Sequence, residues 1–267
     1  NASGKSNVIL AFDFLKELII SGNIRNQRSI PVELIPCFFN KKDETIDFAI
    51  KFIEDNFVFD YSIQIGNAKF LSEENNPIIE KEVLSVNEEK VFEREEKQIT
   101  YLELTENENT ETSAVIKEKA TSSLLSDELF LTNGYKTLVD TAAYSTILKW
   151  FKEKLIIISN VDFVSSAPRF DYEQIGEAAD DKFKLSDKII NEIANEAGVN
   201  STEIRFLKSD NDKLPQAFSV IDGKGVVARF IESAGTMKMI NFLPLVLSVM
   251  VKGATLIVDE LDSSLHP

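Results

Sequence analysis

The sequence predicts an α/β fold with an antiparallel β subdomain and a helical insert, on three observations. A helical period begins directly after Ser6. Strictly alternating apolar runs occupy the stretch from Ile46 to Ile65. Near the far end, an apolar run closes on two acids, Asp259 and Glu260. With 267 residues, 43% of them hydrophobic and 27% charged, the chain can bury one large core or two small ones, which excludes disorder and collagen.

The elements follow in order. Val8, Ile9, Phe12, Leu15, Leu18 and Ile19 recur at helical spacing, and Gly22 supplies a left-handed stop. Ile46, Phe48, Ile50 and Phe52, then Phe57, Phe59, Tyr61, Ile63 and Ile65, alternate with polar or small residues on either side of Glu54-Asp55-Asn56. That is the pattern of an antiparallel hairpin with one face on a core. Shorter strands are expected over 33–39, 83–86 and 90–94.

From residue 122 the period turns helical, over 124–131 and again over 141–154, where Ala142, Ile147, Leu148 and Phe151 share faces. Trp150 and Phe151 read there as core residues. A strand over 155–158 precedes a loop holding Pro168. A helix capped near Ser186 carries Ile189, Ile190, Ile193 and Ala197 and stops at Gly198. Strands over 203–207 and 217–221, a turn at Asp222-Gly223-Lys224-Gly225 and a strand over 226–230 complete the middle. An apolar helix over 237–251 contains Pro244, which kinks a helix or sits where its missing N–H is tolerated, and it ends at Gly253. The sequence shows neither an internal repeat nor sustained heptads.

Charge narrows the function classes. The chain has 29 Lys+Arg against 44 Asp+Glu, a formal charge of −15, and the stretch from Glu73 to Glu111 alone holds thirteen acidic and four basic side chains. Such a stretch is a solvated loop or sheet edge, or a docking surface for a basic partner. The net charge disfavours attraction to phosphate backbones, so nucleic acid would need a local basic stripe. One cysteine, Cys37, excludes an intramolecular disulfide or a cysteine-based zinc site, and one histidine, His266, excludes His-rich metal centres and conventional internal triads. We expect a cytoplasmic protein with no membrane partner. No apolar stretch approaches the roughly 18–20 residues that cross a bilayer, and the opening residues lack the positive segment of a signal peptide.

Three places carry chemistry. Asn1-Ala2-Ser3-Gly4-Lys5-Ser6 reads as the back end of a P-loop, G-x-x-x-x-G-K-[ST], whose opening glycine would precede Asn1. A phosphate needs inward-turned N–H groups, a lysine that reaches the outer phosphates, a hydroxyl on Mg²⁺ and a helix N-terminus behind them. Gly4, Lys5, Ser6 and the first helix supply these in order. Second, Thr255-Leu256-Ile257-Val258 reads as a strand buried on both faces that delivers Asp259 and Glu260 at its carboxyl edge, where α/β sheets bind ligands. This looks like a Walker B strand, in which Asp259 would hold hydrated Mg²⁺ and Glu260 would polarise the attacking water. A strand that merely ends in surface acids would look the same. Third, Glu232-Ser233-Ala234-Gly235-Thr236 places a hydroxyl and a glycine at the start of the apolar helix. This is an anion site or an ordinary serine N-cap.

Taken together, the motifs resemble one family. Ser233-Ala234-Gly235-Thr236 looks like the signature motif of ABC-type ATPases and lies 26 residues before Asp259. Asp259-Glu260-Leu261-Asp262-Ser263-Ser264-Leu265-His266-Pro267 resembles the D-E-x-x-x-x-L-H-P segment of the ABC-like heads of SMC, RecF and especially OLD-type proteins. It also resembles that of the stand-alone AAA-labelled ATPases of bacterial anti-phage systems. Asn1 to Asn7 is similar to their P-loop wording. The resemblance implies a P-loop NTPase fold of the ABC-type ATPase head. It covers 1–267 as a single domain: the P-loop helix and β subdomain over 1–115, a helical insert and returning strands over 116–230, and the signature helix, Walker B strand and switch histidine over 231–267.

By resemblance, Asn1, Ala2, Ser3, Gly4, Lys5, Ser6 and Asn7 hold the phosphates of ATP, with Ser6 and Asp259 on Mg²⁺ and Glu260 as catalytic base. Ser233, Gly235 and Thr236 would meet the γ-phosphate of a nucleotide held by a second subunit, and Asp262 would belong to the loop that crosses the dimer. His266 would be the switch that senses the γ-phosphate, or else a helix-cap histidine. The signature reads SAGT rather than the transporter SGGQ, and Leu261 stands where transporters have proline, which argues against a transporter subunit. Gln27 is either a Q-loop glutamine or a surface residue.

The resemblance implies an ATP-hydrolysing switch that closes head-to-head around ATP as a homodimer or higher homo-oligomer. It would gate an effector, a nuclease or toxin, in phage defence. The chain is expected to be an excerpt, with any effector domain beyond Pro267. Two alternatives belong to other classes: a DNA-repair or DNA-tethering head that clamps duplex DNA, which the −15 charge does not favour, and a non-hydrolysing scaffold, which Glu260 does not favour.

Overall fold

A computed structural model describes residues 5–25, 45–66, 77–103, 110–135, 142–158, 203–207 and 216–259, with positions 188, 191, 192, 195 and 196 between them. The chain divides into two compact units, Asn1–Leu155 and Ile156–Pro267.

The first unit is organised by a five-stranded antiparallel meander, β1 (Ile46–Glu54), β2 (Phe57–Gly66), β3 (Ile78–Val86), β4 (Glu89–Glu95) and β5 (Gln98–Leu102), in that spatial order. The first hairpin turns on Asp55 and Asn56, at φ 47° and 67°. Two successive left-handed residues match the twist of the flanking strands. Asn87 and Glu88, at φ 53° and 70°, repeat the device between β3 and β4. Register shifts at Gln64/Ile65, Leu84/Ser85 and Glu93/Arg94 add bulges that bend the sheet.

Alternation does the rest. Phe59, Tyr61, Ile63 and Ile65 are buried, while Asp60 points outward. The helix α1 (Lys5–Ser21) meets the sheet through Phe14 and buries Leu15, Leu18 and Ile19 as well. Phe14 stacks on Phe48 at 5.4 Å, and Phe52 stacks on Trp150 at 3.8 Å. Trp150 opens a π-helical turn, Trp150–Lys154, that continues α3 (Ala142–Lys149). The expectation that Trp150 and Phe151 are core residues holds, since both are buried. The stripe on α1 is displaced from the sequence reading: Val8 is 57% exposed, and Phe14 takes the buried place.

Residues 124–131 correct the sequence reading. Their apolar run predicts a helix, but α2 (Thr110–Ser123) ends before them, and they form a partly buried loop that runs into a π-helical turn, Leu131–Tyr135. The backbone of this loop is committed elsewhere. Ile79 N–H donates to Ser126 O at 2.8 Å, Ile24 N–H to Asp127 O at 2.9 Å, and Leu129 N–H to Gly22 O at 2.8 Å. A helix would have taken those groups for itself.

The second unit contains β6 (Leu155–Ile158), which begins at the boundary, with β7 (Glu203–Leu207), β8 (Gln216–Ile221), β9 (Lys224–Val227), α4 (Ala234–Lys252) and β10 (Thr255–Val258). Strands β7, β8 and β9 form an antiparallel sheet whose second turn uses Asp222 and Gly223, at φ 49° and 75°. The strand expected to reach Phe230 stops at Val227, and Ala228–Phe230 close into a 3₁₀ turn. The helix runs through position 244, so Pro244 does not end it.

Strands β6 and β10 pair, and Asp259 N–H donates to Ile158 O at 2.9 Å. The carboxyl ends of these strands therefore lie side by side, as in strands running the same way. Leu256, Ile257 and Val258 are half-buried and Thr255 exposed, less covered than the sequence pattern implies. The core between α4 and this pair is Ile158, Phe242, Leu245 and Val249. A second cluster joins Ile240 to Ile204 and Ala228.

The structure also corrects the reading of apolar stretches. Among the described residues α4 is long and apolar enough, by length and composition, to cross a membrane. The sequence reading started this helix at Met237, whereas Ala234, Gly235 and Thr236 also belong to it and extend it to 19 residues. Its apolar side chains pack on both clusters of the second unit, as a core helix does. The strand expected over 33–39, Gln27, and Ile189, Ile190, Ile193, Ala197 and Gly198 lie outside the described residues.

Candidate functional site

Each unit carries candidate residues of its own. In the first unit the sequence turns helical at Lys5, and Ser6 and Asn7 stand exposed on the first turn of α1. A helix start aims N–H groups outward and favours anions. The far end of this helix is fixed. Lys16 Nζ donates to Leu155 O at 2.7 Å, where it meets the end of the π-helical turn, and burial lowers the pKa of this ammonium against the pull of Asp13 and Glu17. Gly22, at φ 77°, closes the helix through its N–H to Leu18 O. A Cβ there would lie 2.7 Å from Thr132 Oγ1, so the close approach requires glycine.

The loop that holds this end is itself clasped to the sheet. Glu82 and Arg94 face each other in register on β3 and β4, both fully buried. Glu82 accepts from Tyr61 Oη at 2.9 Å, Phe130 N at 2.6 Å and Leu131 N at 2.9 Å. Its second oxygen also lies 3.4 Å from the Arg94 guanidinium. Arg94 donates to the carbonyls of Glu96, Leu125, Ser126 and Glu128. Burial raises the Glu82 pKa despite the opposing pull of Arg94, and burial lowers that of Arg94. Sequence reasoning did not single out this pair, yet its signal was present: charged residues occupy inward positions two residues from Leu84 and Phe92.

In the second unit Ser233 caps α4. Its φ of −66° and ψ of 159° hold it outside the helix, while its Oγ accepts from Thr236 N at 3.1 Å and lies 2.9 Å from Thr236 Oγ1. Met237 N–H donates to Ser233 O at 2.9 Å. The amides of Ala234 and Gly235 precede the first intrahelical bond and are the groups such a start offers to an anion. Ser219, fully buried on β8, holds the adjacent Glu232 carboxylate at 2.6 Å, a contact without an evident sequence signal. Gly253, at φ 58°, ends the helix and returns the chain into β10.

Strand β10 delivers Asp259, half-buried, at its carboxyl end. Thus the structure places Ser6 on the first turn of α1, Ser233, Gly235 and Thr236 on the first turn of α4, and Asp259 after β10. Asn1, Ala2, Ser3, Gly4, Glu260, Asp262 and His266 lie outside the described residues. Among the described residues no group of three His, Cys, Asp or Glu forms a metal cluster.

Over its whole length, residues 1–267, the chain matches the family described as AAA domain, putative AbiEii toxin, Type IV TA system. The chain belongs to that family. It is therefore an AAA-type P-loop ATPase domain, related to toxin–antitoxin ATPases, and AAA domains as a class bind ATP with Mg²⁺. No curated protein matches the chain.

Proposed function

We propose that this AAA domain is an ATP-hydrolysing switch of the ABC-like kind, closing head-to-head around ATP and gating a protein effector, a nuclease or toxin, in phage defence. The observation that carries the reading is the second phosphate-ready helix start. One chain has a P-loop helix at Lys5 and Ser6, and a separate helix capped by Ser233 leads straight into the strand that bears Asp259. A second anion site in one head is explained when it serves the nucleotide of another copy.

The residues then take these roles. Lys5 sets its charge against the outer phosphates, and the first-turn amides of α1 hold them. Ser6 and Asp259 would hold Mg²⁺, which when bound neutralises phosphate charge. Glu260 would accept a proton from the water that attacks the γ-phosphorus as the bond to ADP breaks, and His266 would be the switch that senses the γ-phosphate. From the second copy, Ser233 Oγ and the amide of Gly235 donate to that phosphate as its charge develops.

Turnover per chain is the test. ATP hydrolysis should rise with protein concentration as copies pair, and Ser233→Ala should lower it about 10²–10³-fold, the usual cost of one donor to transition-state charge. The same substitution removes an N-cap and costs about 0.5–2 kcal/mol of stability, so circular dichroism must show the variant folded. Concentration-independent turnover by a demonstrated monomer, unchanged by Ser233→Ala, would defeat the reading.

A further inference from the structure

One face of the β7–β9 sheet covers α4 at one end and leaves the core at the other. Register places Ile204, Ser219 and Val226 on that face, and Ile221 follows two residues after Ser219. Ile204 is buried against Ala228 and Ile240, and Ser219 is buried against Glu232. Beyond them Val226 is 38% and Ile221 42% exposed. The 3₁₀ turn adds Phe230, 71% exposed, and Ile231, 44% exposed. One exposed apolar side chain is ordinary, but Phe230 and Ile231 stand exposed in succession. The next two residues, Glu232 and Ser233, lead into α4.

Chemistry distinguishes this patch from a generic apolar surface. The Arg229 guanidinium lies 4.8 Å from the centre of the Phe230 ring, a cation on an exposed aromatic. Buried Ala228 anchors the turn that carries them. A planar apolar surface, a fixed cation and the positive end of a helix dipole together suit a ligand that is aromatic at one end and polyanionic at the other. That description fits a nucleoside triphosphate. Phe230 lies three residues before Ser233, within about 10 Å along the backbone, which is within the reach of one extended nucleotide.

We propose that Arg229 and Phe230 form a base-stacking platform for the ATP held by a second copy of this chain. Phe230 stacks on the adenine, Arg229 backs the ring with positive charge, and the α4 start takes the phosphates. This rests on the two-copy reading above.

The test uses the Glu260→Gln chain, a non-hydrolysable ATP analogue, and inorganic tripolyphosphate as a ligand lacking a base. Analytical ultracentrifugation should show dimer with the analogue and far less with tripolyphosphate. Phe230→Ala should weaken analogue-driven pairing about 5- to 150-fold for each of the two base–aromatic stacks the dimer loses. Arg229→Ala should weaken it in the same direction. The indole introduced by Phe230→Trp should change fluorescence only at protein concentrations where dimer forms. Dimer that forms equally well with Phe230→Ala, or a fluorescence change in the monomer, overturns the platform and leaves the two-copy reading standing. A parent chain that never pairs with the analogue overturns both.

Discussion

Glu260→Gln is expected to slow ATP turnover about 10²–10⁴-fold, the range for removing a general base, while ATP still binds and the paired form accumulates. The amide keeps the side chain's shape but cannot take the proton from water. The contacts proposed for Lys5 and the α1 start would be untouched, so the affinity for ATP should stay near that of the parent chain. Single-turnover quench-flow beside sedimentation velocity checks both halves. Loss of binding together with loss of turnover would mean that Glu260 supports the fold or the metal rather than the proton transfer.

The largest expected stability effect lies far from any phosphate. Arg94→Met leaves the Glu82 carboxylate buried without its counter-charge, which costs about 3–5 kcal/mol. Against a typical stability of about 5–15 kcal/mol, that is enough to threaten the first unit. In other buried ion pairs, removing both partners often restores stability. Here Glu82→Leu with Arg94→Met should not, because the pair also serves the amides of Phe130 and Leu131 and the carbonyls of Glu96, Leu125, Ser126 and Glu128. Each buried backbone group left without its partner costs about 1–3 kcal/mol. Trp150, the chain's one tryptophan, stacks on Phe52 in the same unit, so urea titrations followed by its fluorescence report this unit directly. A double variant as stable as the parent would show that the loop holds without the clasp.

What the sequence makes legible depends on whether the signal is local. The β1–β2 hairpin announces itself because every second residue from Ile46 to Ile65 faces a core, and because Asp55 and Asn56 accept positive φ. Ser233 and Gly253 mark the ends of α4 by cap chemistry, and the strand that places Asp259 is an unbroken apolar run. Residues 124–131 misled because Leu124, Leu129, Phe130 and Leu131 are as apolar as a buried helix would be. Their backbone partners, Gly22, Ile24, Ile79, Glu82 and Arg94, are distant in sequence. Strand β5 escaped notice because it buries one residue, Ile99, too few for a period. At the candidate site, residue types flagged Lys5, Ser6, Ser233 and Asp259. The patch of Phe230 and Arg229 emerged only when the strand ended early at Val227 and the turn exposed its ring.

In the proposed switch, the α1 start and the end of β10 would serve one Mg·ATP. A double-mutant cycle on Mg·ATP affinity, by calorimetric titration of the parent, Lys5→Ala, Asp259→Asn and the double variant, distinguishes one shared site from two separate ones. The account predicts strong coupling: either substitution alone removes most of the affinity, and the second adds little. Losses that simply add, within about 0.5 kcal/mol, are the behaviour of independent sites and would contradict it.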